Sequence, residues 1–241
     1  MPNQFSRTEL LFKQEGMKIL KNSHVIVFGI GGVGGYVVEA LARSGVYHFT
    51  LVDNDIVSET NINRQIIATY ATMGQYKVDV MKARILSINK EADVETKKVF
   101  YLPETADQFD FNNYSYIVDC VDTVSAKISL ILEAKRCNVP IICAMGAGNK
   151  MNPMMLEVSD ISKTSMDPLA KAVRIELRKR GIKKVKVVYS KEKPIKLPLD
   201  KNNIQIKEGS KSPAPGSNSF VPSTMGLIIA SEVIKDLIGY K

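Results

Sequence analysis

Cysteine is scarce in this chain, and the little there is forms no pattern. The three cysteines, Cys120, Cys137 and Cys143, include no CxxC pair. An odd number without metal-ligand spacing argues against both a disulfide framework and a zinc site. Cys120 and Cys143 lie in apolar runs and read as small buried hydrophobes. Long hydrophobic runs are missing too. The opening residues, MPNQFSRTELLFKQEG, are polar and mixed in charge, with no apolar segment of a secretory signal. The most apolar stretch near the end, Met225 to Ala230, runs straight into Glu232, Lys235 and Asp236 and is too short to span a bilayer. No internal repeat is present. The expectation is a protein without a membrane span in a reducing, cytoplasmic setting.

What is present is enough for one sizeable α/β domain or two small ones: 241 residues, 45% of them hydrophobic. The net charge is +8, and it is localised. Between Lys171 and Lys196 stand eleven Lys/Arg against two Glu, a local +9, so the rest of the chain sums to −1. Such a patch suits a polyanionic partner. It equally suits a solvated, lysine-rich helix face, and composition alone does not choose between them.

The chain reads as alternating strands and helices. His24–Ile30 is a buried strand, Gly29–Gly35 a glycine-rich turn, Val33–Ser44 a helix stopped by Gly45, and His48–Val52 a second strand. A helix over Gln75–Asn89, a strand over Val94–Phe100, a strand at Tyr116–Cys120, a helix over Thr123–Cys137 and a strand over Val139–Ala144 follow. Beyond them come a strand at Met154–Val158, a basic helix over Met166–Arg180, a strand at Val185–Tyr189, a mobile loop over Lys196–Ser217 and an amphipathic helix over Val221–Ile238. This order predicts an α/β fold, a doubly wound Rossmann-like mixed β-sheet with flanking helices. The expected organisation is a single domain over residues 1–241, with a nucleotide-binding half at 1–150 and a substrate half at 151–241.

The first chemical constellation is Gly29-Ile30-Gly31-Gly32-Val33-Gly34, with strand, glycines and helix in that order. Glycines let backbone approach a phosphate, and the helix start offers free N–H groups. Asp53 closes the second strand, 19 residues after Gly34, where an acid accepts hydrogen bonds from ribose hydroxyls. These features fit a nucleotide but do not separate NAD from ATP. A second constellation does. Asn61-Ile62-Asn63-Arg64-Gln65 follows the second strand, and Lys77 comes twelve residues after Gln65. Arg64 and Lys77 supply a cationic pair for charge building on the phosphates of ATP, which a dehydrogenase does not need. The third piece is Asp119-Cys120-Val121-Asp122 at a strand end. Asp122 there either holds Mg²⁺ or caps the helix that follows.

Taken together, GxGGxG, Asp53, NxNRQ, Lys77 and the DxxD strand end resemble the adenylating domain of ubiquitin-activating-like enzymes, from about Phe5 to Gly148. The resemblance implies that Gly29, Gly31, Gly32 and Gly34 cradle ATP and that Asp53 holds its ribose. It places Asn61, Arg64, Gln65 and Lys77 at the phosphates and Asp122 on Mg²⁺. It makes Arg7, in Phe5-Ser6-Arg7, an arginine that crosses a homodimer into the partner's site; without it Arg7 reads as a surface charge on a short helix. It also admits a cysteine-desulfurase/sulfur-acceptor system as partner. The departures narrow the branch. No paired CxxC is present, Thr123 stands where Asn is frequent, and no cysteine lies in Ile161–Asp167, so an obligatory enzyme thioester is not expected.

Residues of the second half resemble one branch, the tRNA threonylcarbamoyladenosine dehydratases: Asp160–Thr164, Asp167-Pro168-Leu169, Arg174–Ile182 and Gly216–Pro222. The reaction so implied activates the threonine carboxylate of the modified adenosine beside the anticodon with ATP, and the carbamoyl group then closes a ring with net loss of water. Lys171, Arg174, Arg178, Lys179, Arg180, Lys183 and Lys184, with Lys186 beyond them, would then contact tRNA phosphates. Three rivals share parts of the sequence signal: activation of the C-terminus of a ubiquitin-like sulfur carrier, an NAD-dependent oxidoreductase, and a non-catalytic nucleotide sensor.

Overall fold

Val25–Phe28 is an apolar run with no polar side to turn toward water, and it becomes a central strand covered on both faces. The computed structural model describes residues 3–197 and 215–240. Its seven strands are β1 (His24–Phe28), β2 (His48–Val52), β3 (Asp93–Lys97), β4 (Tyr116–Asp119), β5 (Ile141–Ala144), β6 (Leu156–Asp160) and β7 (Lys186–Ser190). They lie in one sheet in the order β3-β2-β1-β4-β5-β7-β6. All neighbours run parallel except β6, which pairs antiparallel with β7 at the edge. The expected doubly wound, Rossmann-like mixed sheet is the fold observed.

Among the described residues six α-helices flank it: α1 (Ser6–Asn22), α2 (Gly34–Ser44), α3 (Lys77–Ile88), α4 (Val124–Arg136), α5 (Pro168–Lys179) and α6 (Val221–Ile238). Alternation along β1 sorts them. Val25 and Val27 join a core with residues of α1, α2, α3 and α6, whereas Ile26 and Phe28 face α4 and the aromatic group Tyr101, Phe109 and Phe111. The face of β5 and β7 carrying Cys143 and Val187 is covered by α4 and α5.

Element boundaries shift where local chemistry intervenes. Pro140 has no N–H and Asn138 adopts φ 54°, so β5 starts at Ile141 rather than Val139. Met166 adopts φ 57°, and Asp167 caps the following turn by accepting from the Ala170 N–H, so α5 starts at Pro168. The strand expected at Met154–Val158 starts two residues later, as β6 at Leu156, because a 3₁₀ turn, Pro153–Met155, precedes it. At the N-terminus α1 extends to Asn22, broken at Lys13 (φ 60°, ψ 169°). Its few buried residues explain why no long helix is legible there. Of the loop expected over Lys196–Ser217, residues 198–214 lie outside the described residues.

Two close contacts set the position of everything at the top of the sheet. A Cβ on Gly34 would lie 1.8 Å from the Gly29 oxygen, and one on Gly226 in α6 would lie 2.4 Å from the Val33 oxygen. The absence of side chains lets the turn fold on itself and lets α6 press onto the start of α2. Beneath the same end of the sheet, Lys127 and Asp119 form a fully buried ion pair. Lys127 Nζ lies 3.0 Å from each Asp119 oxygen and donates to the Ala144 carbonyl at 2.6 Å, tying α4 to the ends of β4 and β5.

Two outcomes follow for stability. Gly226→Ala is expected to cost about 1–3 kcal/mol through overpacking, seen as a fall in Tm of several degrees. Lys127→Met alone should cost about 3–5 kcal/mol because it strands a buried carboxylate, and Asp119→Leu added to it should recover much of that loss in denaturant unfolding.

Candidate active site at the switch point of the sheet

Strand order reverses between β1 and β4, whose ends lie side by side with Phe28 opposite Asp119. In open α/β sheets the loops leaving such a point diverge and open a crevice. Here the two loops are 29–33 and 120–123. They touch closely: a Cβ on Gly29, whose φ is +87°, would lie 2.8 Å from the Cys120 oxygen. A residue other than glycine is disfavoured at this position both by that φ and by the contact.

Asp53 anchors the glycine turn. Its Oδ2 accepts from the Ile30 N–H at 2.7 Å and its Oδ1 from the Asp55 N–H at 2.8 Å. Burial raises its pKa, opposed by the charge of Lys77 and by these hydrogen bonds. Lys77, at the first position of α3, is itself buried and reaches Asp55 Oδ2 at 2.6 Å. The motifs in the sequence did not single out Asp55. Its signal was available in Asp53-Asn54-Asp55, where two acids follow the strand.

The NxNRQ segment divides its labour. Asn61 is buried and spends Oδ1 on the Ser58 N–H, which shapes the turn. Arg64 is half-buried, and its aliphatic stem would meet a Gly32 Cβ at 3.3 Å. Its guanidinium donates to the Thr60 carbonyl and to Asn63 Oδ1, both at 2.8 Å, and no carboxylate pairs with it among the described residues. Burial lowers its pKa, yet an arginine stays charged. Gln65 is buried, its Nε2 lies 3.9 Å from the Cβ position of Gly31, and its Oε1 has no hydrogen-bond partner among the described residues. An orphaned buried oxygen beside a glycine turn is what a ligand donor, such as a ribose hydroxyl or an ordered water, would satisfy.

Asp122 is exposed at the rim, on the loop between β4 and α4. The capping alternative does not hold, because Thr123, not Asp122, stands at the N-cap of α4. No cluster of three or more His, Cys, Asp or Glu suited to a metal occurs among the described residues. A single carboxylate still fits Mg²⁺, which keeps several waters and takes most other ligands from substrate phosphates.

Arg7 is not brought to this crevice within its own chain. It is exposed two residues after Phe5, which packs on Tyr47 just before β2, at the opposite end of the sheet. The basic residues form a track rather than a cluster. Lys171 lies in the first turn of α5, close to Asp167, which accepts from the Gly146 N–H at the crevice end of β5. Lys183 and Lys184 stand just before β7, at the far end. Lys171, Arg178, Lys183 and Lys184 are exposed. Lys179 and Arg180 are also exposed but share Glu176. Arg174 is half-buried and donates to the Thr164 carbonyl and hydroxyl. Lys186 is held by Asp236 and Glu232 rather than presented outward. Sequence reasoning also missed the buried pair Lys150–Asp167, at 2.8 Å, which clips the loop after β5 to the start of α5. Two shallow grooves, of about 500 and 620 Å³, lie away from the crevice; the second is lined by Lys135, Lys184, Lys186 and Asp236.

Cys143 is buried and burial pushes its thiol pKa well up, as it does for Cys120, so neither is poised as a thiolate. No helix among the described residues is long and apolar enough to cross a membrane.

Comparison with known proteins places this arrangement. A Bacillus subtilis protein named tRNA threonylcarbamoyladenosine dehydratase is 48% identical over 243 residues, covering 99% of this chain and 96% of that protein. The crystal structure of Escherichia coli tRNA N6-threonylcarbamoyladenosine dehydratase, TcdA, in complex with ATP matches with a TM-score of 0.87 at 32% identity, covering 98% of this chain and 94% of that one. The adenylyltransferase and sulfurtransferase UBA4 of Vanderwaltozyma polyspora is 33% identical over 56% of this chain and 31% of its own length. The ThiF family pattern covers residues 5–241, and the chain belongs to the ThiF family.

Proposed function

We infer that the chain is an ATP-dependent tRNA threonylcarbamoyladenosine dehydratase. The observation that carries this reading is the extent of the likeness. The 48% identity runs over 99% of the chain, through the basic helix and α6 as well as the nucleotide crevice. The similarity to UBA4 covers 56% of the chain, which favours the dehydratase over activation of a ubiquitin-like sulfur carrier.

The residues take these roles in the proposal. The 1–150 half binds ATP and the 151–241 half serves tRNA. Gly29, Gly31, Gly32 and Gly34 leave room for the phosphates against exposed backbone N–H groups at the start of α2. Asp53 and Gln65 hold the nucleoside, and Asn61 keeps the NxNRQ turn in shape. Arg64, free of any described carboxylate, and Lys77, steadied by Asp55, neutralise charge on the phosphates as the threonine carboxylate attacks. Asp122 would hold Mg²⁺, which would supply positive charge against that of the phosphates. The carboxylate becomes a mixed anhydride, a competent leaving group replaces oxide, and the adjacent carbamoyl group closes the ring at high effective concentration. No enzyme nucleophile is required, in keeping with the burial of Cys143 and the raised thiol pKa of Cys120. Arg7, remote from its own crevice, serves a partner's site in a homodimer. The enzyme works in the cytoplasm, where its tRNA substrate is found.

The decisive test is incubation of the protein with ATP, Mg²⁺ and tRNA carrying threonylcarbamoyladenosine, followed by mass spectrometry of the nucleosides. A nucleoside lighter by one water is expected. Arg64→Ala should lower kcat by about 10²–10³, the usual cost of removing one preorganised electrostatic group, while ATP still binds. Absence of product from the wild-type protein would overturn the reading. The basic track has a separate readout. Replacing Lys171, Arg178, Lys183 and Lys184 with Ala should raise KM for tRNA and flatten its dependence on log salt by about 0.7–0.9 for each phosphate no longer neutralised. KM for ATP should be unchanged.

A further inference from the structure

The segment Gly216–Phe220, immediately before α6, crosses the mouth of the crevice and is tied to both lips. On one side, the Asn63 amide of the NxNRQ turn donates to the Ser217 carbonyl at 3.1 Å. On the other, Asn149 and Gly216 exchange a reciprocal pair: the Gly216 N–H donates to Asn149 Oδ1 at 2.7 Å and the Asn149 N–H to the Gly216 carbonyl at 2.8 Å. Asn149 adopts φ 57° to do so, a conformation asparagine tolerates. Asn218 completes the strap. Its Nδ2 donates to the Lys150 carbonyl at 2.7 Å, and its Oδ1 accepts from the N–H groups of Phe220 and Val221 at the start of α6. Lys150 is itself fixed by Asp167 and the Gly146 carbonyl. Three asparagines thus hold this short span against two different loops.

This rigid strap delivers Phe220, whose side chain is left 40% exposed. Two residues on, Pro222 lies 3.4 Å from the Cβ position of Gly32, beside the stem of Arg64. The Phe220 backbone therefore runs between the NxNRQ turn, held at Ser217, and the glycine turn, met at Pro222. Asp53, proposed for the ribose, meets the turn at Ile30 instead. Exposed Met151, whose sulfur lies 3.7 Å from the Asn218 amide, adjoins the strap. A ring left 40% exposed on a hydrogen-bonded segment keeps part of its surface available to a partner. A preorganised ring face of this kind is suited to stacking on a base.

We propose that Phe220 is a specificity-determining residue whose ring stacks on a nucleobase of the tRNA anticodon loop, at or beside the modified adenosine, and so sets the threonine carboxylate facing the phosphates of ATP. The proposal rests on the dehydratase reading. The asparagine strap is the positioning device: it fixes the Phe220 backbone next to Pro222, which lies against Gly32 and the stem of Arg64. Sequence-specific recognition of RNA targets unpaired loop bases by stacking, so a single ring face near the reacting group is chemically sufficient for this task.

The chain has no tryptophan, so Phe220→Trp introduces a lone fluorophore that reads the stacking directly. Its emission should be quenched by tRNA carrying threonylcarbamoyladenosine and unaffected by ATP alone. Phe220→Leu, which keeps apolar bulk but removes the ring face, should raise KM for tRNA roughly five- to hundred-fold, the equivalent of one base stack. Its KM for ATP and Tm should not change. Wild-type turnover together with an unaltered KM for tRNA in Phe220→Leu, or quenching by ATP alone, would overturn the proposal. Quenching by tRNA without any turnover in the wild type would instead overturn the dehydratase reading and leave the base stacking standing.

Discussion

Backbone pressed on backbone at the glycine turn is the constraint on which the rest of this structure depends. Gly34 abuts the Gly29 carbonyl, Gly29 abuts the carbonyl of Cys120, and Gly226 abuts the carbonyl of Val33. Each contact excludes a Cβ. Together they draw the β1–α2 turn, the β4–α4 loop and the start of α6 into one place at the reversal of strand order. Every candidate group at the crevice inherits its position from this convergence. Asp122 rides on the β4–α4 loop, Arg64 lies over Gly32, and the strap before α6 is set down beside them.

Around that point the fold uses polar clips in preference to apolar packing, for a physical reason. Loops at strand ends cannot bury large side chains without also burying unpaired backbone groups. Asp53, Asp167, Asn149 and Asn218 each accept from one or more backbone N–H groups, and Lys127 and Lys150 each donate to a carbonyl as well as to a carboxylate. Such ion pairs add little net stability over apolar replacements, but breaking one partner is costly. Their effect here is geometric. The loop after β5 is held to α5, so the crevice and the first cation of the basic track, Lys171, share one frame.

Legibility in the sequence followed the kind of signal. The β1–β2–β4 core was readable because buried parallel strands are continuous apolar runs. The range of α6 was readable to the residue because Pro222 and Gly239 bracket it, the latter in the left-handed conformation at φ 65°. Strand β5 was overextended because propensity ignores the missing N–H of Pro140. Helix α1 was not recognised beyond its first turns. Exposed Leu10 and Leu11 blur its periodicity, and Lys13 interrupts it. At the site, glycines, Asp53 and NxNRQ were readable as contiguous motifs. Asp55 was in view but carried no assigned role, because its partner Lys77 is 22 residues away. The pairs Lys127–Asp119 and Lys150–Asp167 were not readable, because nothing in spacing distinguishes a buried lysine from a solvated one.

By itself the sequence determined the fold class, the nucleotide-type crevice and the family. These depend on local order, strand then glycines then helix, and on residue types that few other chemistries require. Only the tertiary structure decided which charges remain available. It tied Arg174 to Thr164, gave Lys186 to Asp236 and Glu232, and left Arg64 without a described carboxylate. It also placed Arg7 at the end of the sheet opposite its own crevice. Whether a charge is paired depends on neighbours tens of residues away, and that neighbourhood exists only after the chain has folded.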